Sequence, residues 1–281
     1  MRNVKGGCMA VVTISRQVAA MGDEVAEAAA QQLGYTFIDR KTIEKRIVEL
    51  GFSAEKLKKY DEKKPGFFAS LAKNRDEYLD YLQTAVLEAA AADNCVLIGR
   101  GAFVILENVK SLFSIRCISA DDVRIHRLMD EFNWTEKQAR SRIAESDMNR
   151  QGFHKSFFNI NNEEPSHYHL VLNTGLVDVP LAATVISTVC KEIITPDLEA
   201  AGRRQIEQML DAQKLVNKLV FEYKLNINFL HAVIHDEKLI LQGVADSAAL
   251  VEKAVMLAGQ EMPGKKIESC ISVVQDFKAY P

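Results

Sequence analysis

Met9-Ala-Val-Val-Thr-Ile14 runs directly into Ser15-Arg-Gln-Val-Ala-Ala-Met-Gly-Asp-Glu24. The first segment is continuously apolar and β-branched, with no polar alternation. That pattern predicts a strand covered on both faces, as in a parallel sheet. Residues 15–22 then read as a loop. Residues 23–33 are Ala-rich and helical, and Gly34 stops them. A strand that feeds a helix through a short loop offers the helix's free N–H groups to an anion.

The pattern repeats outward from this unit. Strands are predicted at 35–38, 95–98, 112–118 and 168–172. Helices are predicted at 41–50, after Ser53 as N-cap, and at 70–92, 121–131, 135–151 and 179–194. Residues 56–64 are charge-rich with both signs and read as solvated, with a break at Pro65-Gly66. Alternating strands and helices predict a doubly wound α/β sheet. Ligands of such sheets sit beyond the carboxyl ends of the strands. The polar residues placed there are Ser15-Arg16-Gln17, Asp39-Arg40, Gly99-Arg100-Gly101 and Asn173-Thr174.

A boundary is expected at Thr195-Pro196. Beyond it come a helix at 203–222, strands at 228–234 and 238–244 around a turn at 235–237, a helix at 247–261 and a strand at 266–274. This α-β-β-α-β order predicts a small α+β domain. The domains are thus 1–196 and 197–281. A length of 281 residues suits one large domain with a small appendage. With 48% hydrophobic and 26% charged residues, a packed core is expected rather than disorder. The net charge of −3 gives no basic field for nucleic acid. The five cysteines, Cys8, Cys95, Cys117, Cys190 and Cys270, include no C-x-x-C pair. No disulfide framework or metal site is expected from them. No apolar stretch approaches membrane-spanning length, so a cytoplasmic protein without a transmembrane segment is expected.

The loop after the first strand lacks the chemistry of a standard phosphate loop. G-x-x-x-x-G-K-[ST] supplies glycines for close backbone approach, Lys for the phosphates and a hydroxyl for Mg²⁺. Here Gly22 is followed by Asp23 and Glu24. Asp23 also reads as a plain first-turn acid favoured by the helix dipole. Arg124 and Arg127 share a helix with Asp121, Asp122 and Asp130, so surface ion pairs explain them cheaply. Asp147 and Arg150 are spaced as an i,i+3 pair. Asp39 reads as an Mg²⁺ ligand or as the start of the next helix. His167-Tyr-His169 has metal-like spacing without a third ligand, and Thr135 with Gln138 reads as a capping box.

Ile14-Ser-Arg-Gln17, Leu33-Gly34, Phe37-Ile-Asp-Arg40, Cys95-Val-Leu-Ile-Gly-Arg-Gly-Ala102, Ala120-Asp-Asp-Val-Arg-Ile125, Asp147-Met-Asn-Arg150 and Leu170-Val-Leu-Asn-Thr174 occur in order. Together they resemble the cytidylate kinase-like family, a branch of the P-loop nucleoside monophosphate kinases. The resemblance implies a three-layer P-loop kinase-like domain with a five-stranded parallel sheet, binding ATP, Mg²⁺ and a nucleoside monophosphate. It places Ser15, Arg16, Gln17 and Gly22 at the phosphate loop, Asp39 and Arg40 on the acceptor side, and Gly99, Arg100 and Gly101 after the third strand. Arg124, Arg127, Asp147 and Arg150 fall at the lid and the D-x-x-R signature. Arg16, Arg100, Arg124, Arg127 and Arg150 would neutralise phosphates during transfer. The family usually has a glycine-rich loop with an extra basic residue where this chain has Ala19, Ala20, Met21 and Asp23. Two readings follow: an ATP-dependent phosphotransferase, or a kinase-like nucleotide sensor without catalysis. With Ile234-His-Asp-Glu-Lys-Leu-Ile-Leu-Gln-Gly-Val-Ala245, then Ala248 to Ala258, then Met262-Pro-Gly-Lys-Lys-Ile267, residues 226–274 resemble a BON domain, which implies a small-molecule or lipid ligand. The free edges of its hairpin suit pairing with a second copy.

Overall fold

The computed structural model describes residues 10–61, 72–92 and 94–274. The break at Pro65-Gly66 and the end of the charge-rich stretch, residues 62–64, lie outside them. The chain divides into two compact units at Arg203/Arg204.

In the first unit the opening apolar run forms β1 (Val11–Arg16), with Val11 to Ile14 all buried. It lies at the centre of a five-stranded sheet. The other strands are β2 (Thr36–Ile38), β3 (Cys95–Ile98), β4 (Leu112–Ile118) and β5 (Leu170–Asn173), in the order β2-β3-β1-β4-β5. Every pairing is parallel, with Ile14 opposite Ile98 and Ser15 opposite Arg116. The helices are α1 (Gly22–Leu33), α2 (Arg40–Glu49), α3 (Ala54–Asp61), α4 (Ala72–Ala92), the short α5 (Ala102–Ile105), α6 (Asp121–Phe132), α7 (Glu136–Phe158) and α8 (Val179–Ile193). Local signals set several ends. Gly34 closes α1 at φ 72°, Asp39 caps α2, and Thr135 with Gln138 forms a capping box on α7.

The two faces of the sheet differ. One is dry: Val12, Ile14, Val96, Ile98, Phe113, Ile115 and Cys117 pack against Val25, Ala26 and Ala29 of α1 and Ala182, Ala183 and Ile186 of α8. Burial of this apolar area is the main drive for the fold. The alternating positions Thr13, Ser15, Ser114 and Arg116 are equally buried but polar. Cys95, Cys117 and Cys190 are buried free thiols.

α7 runs seven residues past the predicted end at 151. Gly152 does not stop it, because Phe153, His154 and Phe157 beyond it are buried. Tertiary burial outweighs the cost of a single helical glycine.

α9 (Pro196–Asn217) begins seven residues ahead of the helix predicted from 203 and runs into a π-helical turn, Lys218–Glu222; the division between the two units falls within it. The second unit adds β6 (Asn228–His235), β7 (Lys238–Ala245), α10 (Ala248–Glu261) and β8 (Lys266–Val273). β6 and β7 form an antiparallel hairpin, and β8 returns parallel to β7. Leu230, Ala232, Ile234, Leu239 and Leu241 face Leu215, Leu219, Ala254 and Leu257 in its core. Among the described residues no single helix is long and apolar enough to cross a membrane.

Candidate functional site

The carboxyl ends of β1 and β3, with α2 and α7, enclose a cleft of about 210 Å³. Its lining carries Arg16, Arg40, Arg100, Arg142 and Arg150, and among the described residues no carboxylate. Ser15, Gly99, Gly101, Phe103, Phe153 and His154 complete most of the wall.

Gly99, Arg100 and Gly101 all have positive φ, at 80°, 51° and 70°. The glycines accept this conformation freely, whereas Arg100 holds it at a cost of about 1–2 kcal/mol. A Cβ at Gly101 would stand 2.3 Å from the Phe158 ring, so only glycine fits there. This tight turn places the Arg100 guanidinium inside the protein, with its side chain 8% exposed. It donates to Glu44 and stands 5.8 Å from the centre of the Phe153 ring. Glu44 also accepts from Arg40 at 2.6 Å. One carboxylate thus serves two guanidiniums. Burial, then the neighbouring Arg40 and Arg16, push the Arg100 pKa down to about 9.

Arg150 has no carboxylate within ion-pair distance among the described residues, and it donates to Ser146 Oγ at 2.5 Å. Burial, then Arg16, push its pKa down to about 10. The alternative reading of Asp147 and Arg150 as an i,i+3 pair is not what the structure displays. Asp147 instead accepts two bonds from Arg124, at 2.7 and 2.6 Å. Arg124 is fully buried, so the surface reading of this residue fails: its main partner is on α7, and Asp121 on its own helix is at 3.5 Å. Burial raises the Asp147 pKa, against the pull of Arg124 and Arg150. The arrangement clamps α6 to α7 beneath the cleft.

Arg127 is also internal in its bonding. It donates to the Ala19 carbonyl at 3.0 Å and to the Thr174 carbonyl at 2.6 Å. Gln17 accepts from the Ser119 N–H at 3.0 Å. Both brace the β1–α1 loop rather than line the cleft. Asp39 accepts from the N–H and hydroxyl of Thr42, which lowers its pKa. Of its two sequence readings, the structure displays the helix start. His169 Nδ1 accepts the Ser114 N–H at 2.9 Å, and no metal-binding group of three side chains occurs among the described residues.

Three participants escaped the sequence reading. Arg142 and Glu44 look like helix-surface charges in sequence. Arg116 is a lone Arg inside a buried strand, and that incongruity was the available signal.

His154 completes the wall as a neutral group. Its Nδ1–H donates to the Arg150 carbonyl at 2.8 Å, and burial takes its pKa from the ordinary 6.5 to about 4. Between these values the unfolded chain binds the extra proton, so the stability contribution is full above pH 6.5 and is lost as pH falls towards 4. Replacing His154 with Gln should flatten the melting temperature over that window. An unchanged profile in the variant would remove His154 as the cause.

A profile of one family, described as the cytidylate kinase-like family, matches residues 11–176. The chain belongs to the cytidylate kinase-like family. Its sheet, centred on β1, has the arrangement expected of that family's P-loop kinase domain. The structure of an uncharacterized protein from Eubacterium ventriosum ATCC 27560 is similar, with TM-score 0.54 and 18% identity over 66% of this chain and 99% of that one. At that identity the likeness shows the fold alone. Shikimate kinase from Bacteroides thetaiotaomicron has TM-score 0.40 and 14% identity, covering 65% of this chain and 98% of its own. Shikimate kinase from Acinetobacter baumannii, in complex with shikimate, has TM-score 0.37 and 14% identity, covering 66% and 96%. No curated protein matches the chain.

The loop between β1 and α1 is where the family resemblance places the phosphate loop, and its residues are not those of a standard one. Ala19 and Met21 take the left-handed conformation, at φ 58° and 50°, where glycine would be unstrained. Arg16 folds back over Gly22, and a Cβ there would lie 2.5 Å from Arg16 Cβ. The Arg16 guanidinium is then held by both Asp23 oxygens at 3.0 Å. The head of α1 therefore carries a protein carboxylate and no Lys or hydroxyl. These residues do not fit the triphosphate of ATP with Mg²⁺.

Proposed function

We propose that the chain binds a nucleoside monophosphate in the arginine-lined cleft and acts as a nucleotide-binding protein rather than an ATP-dependent phosphotransferase. The observation that carries this reading is the cleft wall, with five guanidiniums and, among the described residues, no carboxylate. Arg100 and Arg40 both bond Glu44, and Arg150 has no carboxylate within ion-pair distance among the described residues. A phosphate dianion answers that surplus of positive charge, and Arg offers it a planar pair of donors. Phe103, Phe153 and His154 provide an apolar and aromatic wall for the rest of the ligand.

The phosphotransferase reading needs a second anion site at the head of α1. Asp23 stands there, at the position after Gly22 where a standard phosphate loop has its Lys. The family's D-x-x-R arginine, Arg150, serves the acceptor side in this reading. For the C-terminal unit, the BON-like reading and a small-molecule or lipid ligand are proposed on its α-β-β-α-β order alone.

A ligand that binds only the folded state raises the melting temperature. Millimolar CMP should raise that of this chain, and ATP·Mg²⁺ at the same concentration should leave it unchanged. The reverse result would overturn the proposal.

A further inference from the structure

We infer that Arg116 is a positioning residue for the cleft, engaging the oxygen of Ser15 so that the Ser15 hydroxyl serves as a donor to an anionic oxygen of the ligand. The inference rests on the proposed function, because it gives one wall residue a task towards the same phosphate.

Arg116 lies directly opposite Ser15 in the β1–β4 register and is 4% exposed. Among the described residues it has no carboxylate partner. Its Nη1 donates to Ser15 Oγ at 3.3 Å, and its guanidinium stands 5.7 Å from the centre of the Tyr168 ring. A buried, unpaired guanidinium is expensive, and an apolar side chain of similar size would fill the space at lower cost. Packing alone therefore does not account for it.

The hydrogen count at Ser15 shows what the charge does. Tyr168 has one hydroxyl proton, and the Asn162 carbonyl at 2.7 Å is its better acceptor. A carbonyl cannot donate. The remaining contact, Tyr168 Oη to Ser15 Oγ at 3.4 Å, is then long and has Ser15 as donor. Arg116 occupies an acceptor position on the same Oγ and polarises its O–H bond. Ser15 lines the cleft, so an anionic oxygen there offers its proton a shorter and stronger bond. Ser15 then meets the ligand as donor, and Arg116 sets that role without touching the ligand.

The test is a double-mutant cycle of Arg116→Met and Ser15→Ala in the full chain, read by calorimetric titration with CMP and by melting temperature. Arg116→Met should leave the melting temperature unchanged or raised, because it removes an unpaired buried charge, yet weaken CMP about tenfold. Ser15→Ala should weaken CMP similarly, and the double variant no further than either single one. Arg116→Lys, which keeps the charge and a donor, should recover most of the affinity. Four results would overturn the inference: unchanged CMP affinity in Arg116→Met, losses that multiply in the double variant, failure of Lys to recover binding, or a fall in melting temperature that accompanies the loss. Absence of CMP binding by the wild-type chain would instead remove the proposed function, and the inference with it.

Discussion

Arg100→Ala should weaken CMP binding by about a hundredfold or more. The Arg100 guanidinium is one of the two most buried cleft cations, and it bonds the same Glu44 carboxylate as Arg40. Each hydrogen bond to a charged group is worth about 1.5–3 kcal/mol, and a bidentate grip on phosphate makes two. The backbone is not a confounding factor, because Ala meets the same penalty at φ 51° as Arg does. Stability should change little, since the repulsion from Arg16 and Arg40 is relieved while Glu44 keeps Arg40. Arg100→Lys should not restore binding, because a point charge does not reproduce the planar fork. Calorimetry on the two variants checks both statements. Binding of CMP by Arg100→Ala at wild-type strength would mean that the ligand lies elsewhere.

Asp147→Ala should cost about 3–5 kcal/mol of stability. It leaves Arg124, which is fully buried, without its principal carboxylate. Breaking a buried pair from one side costs far more than the pair contributes, because the surviving charge is stranded. Asp121 at 3.5 Å is exposed and compensates little. The chain carries a convenient reporter. Its single tryptophan, Trp134, stands between α6 and α7, 4.7 Å from the Phe132 ring. Urea unfolding followed by its fluorescence should show a lower midpoint with an unchanged slope. The double variant Arg124→Met/Asp147→Ala should recover most of the loss, since an apolar pair needs no solvation. A midpoint equal to wild type in Asp147→Ala would mean that the clamp between α6 and α7 contributes nothing.

Much of the α/β domain was legible because its determinants are local. The β-branched run of β1, the glycines at 34, 99 and 101, and the caps at Asp39 and Thr135 act within a few residues of themselves. The cleft was legible in part for the same reason: Ser15, Arg16, Arg40 and Arg100 stand at strand ends, where the topology sends ligands. Charge pairing was less legible. Asp121 and Arg124 have ideal helical spacing, yet the strong bond of Arg124 reaches Asp147 across 23 residues of chain. Asp147 and Arg150 have the same spacing and take different partners. Spacing reports which charges can meet on one helix, while burial selects those that do. Glu44 and Arg142 were hidden for this reason, since an outward and an inward charge look alike in a polar helix. Arg116 differs. Its neighbours Phe113, Ile115 and Cys117 mark a buried strand, and a guanidinium placed there had to have a polar setting.

The Asp23 carboxylate on Arg16 gives the loop its meaning. In the proposed reading this ion pair takes the place of a phosphate at the head of α1, and the arginine cleft is the anion site. Calorimetric titration of the wild-type chain with CMP and, separately, with ATP·Mg²⁺ tests this most directly. The expected result is saturable heat for CMP at one site and none for ATP·Mg²⁺. Saturable heat for ATP·Mg²⁺, with conversion of CMP to CDP when both are present, would contradict it.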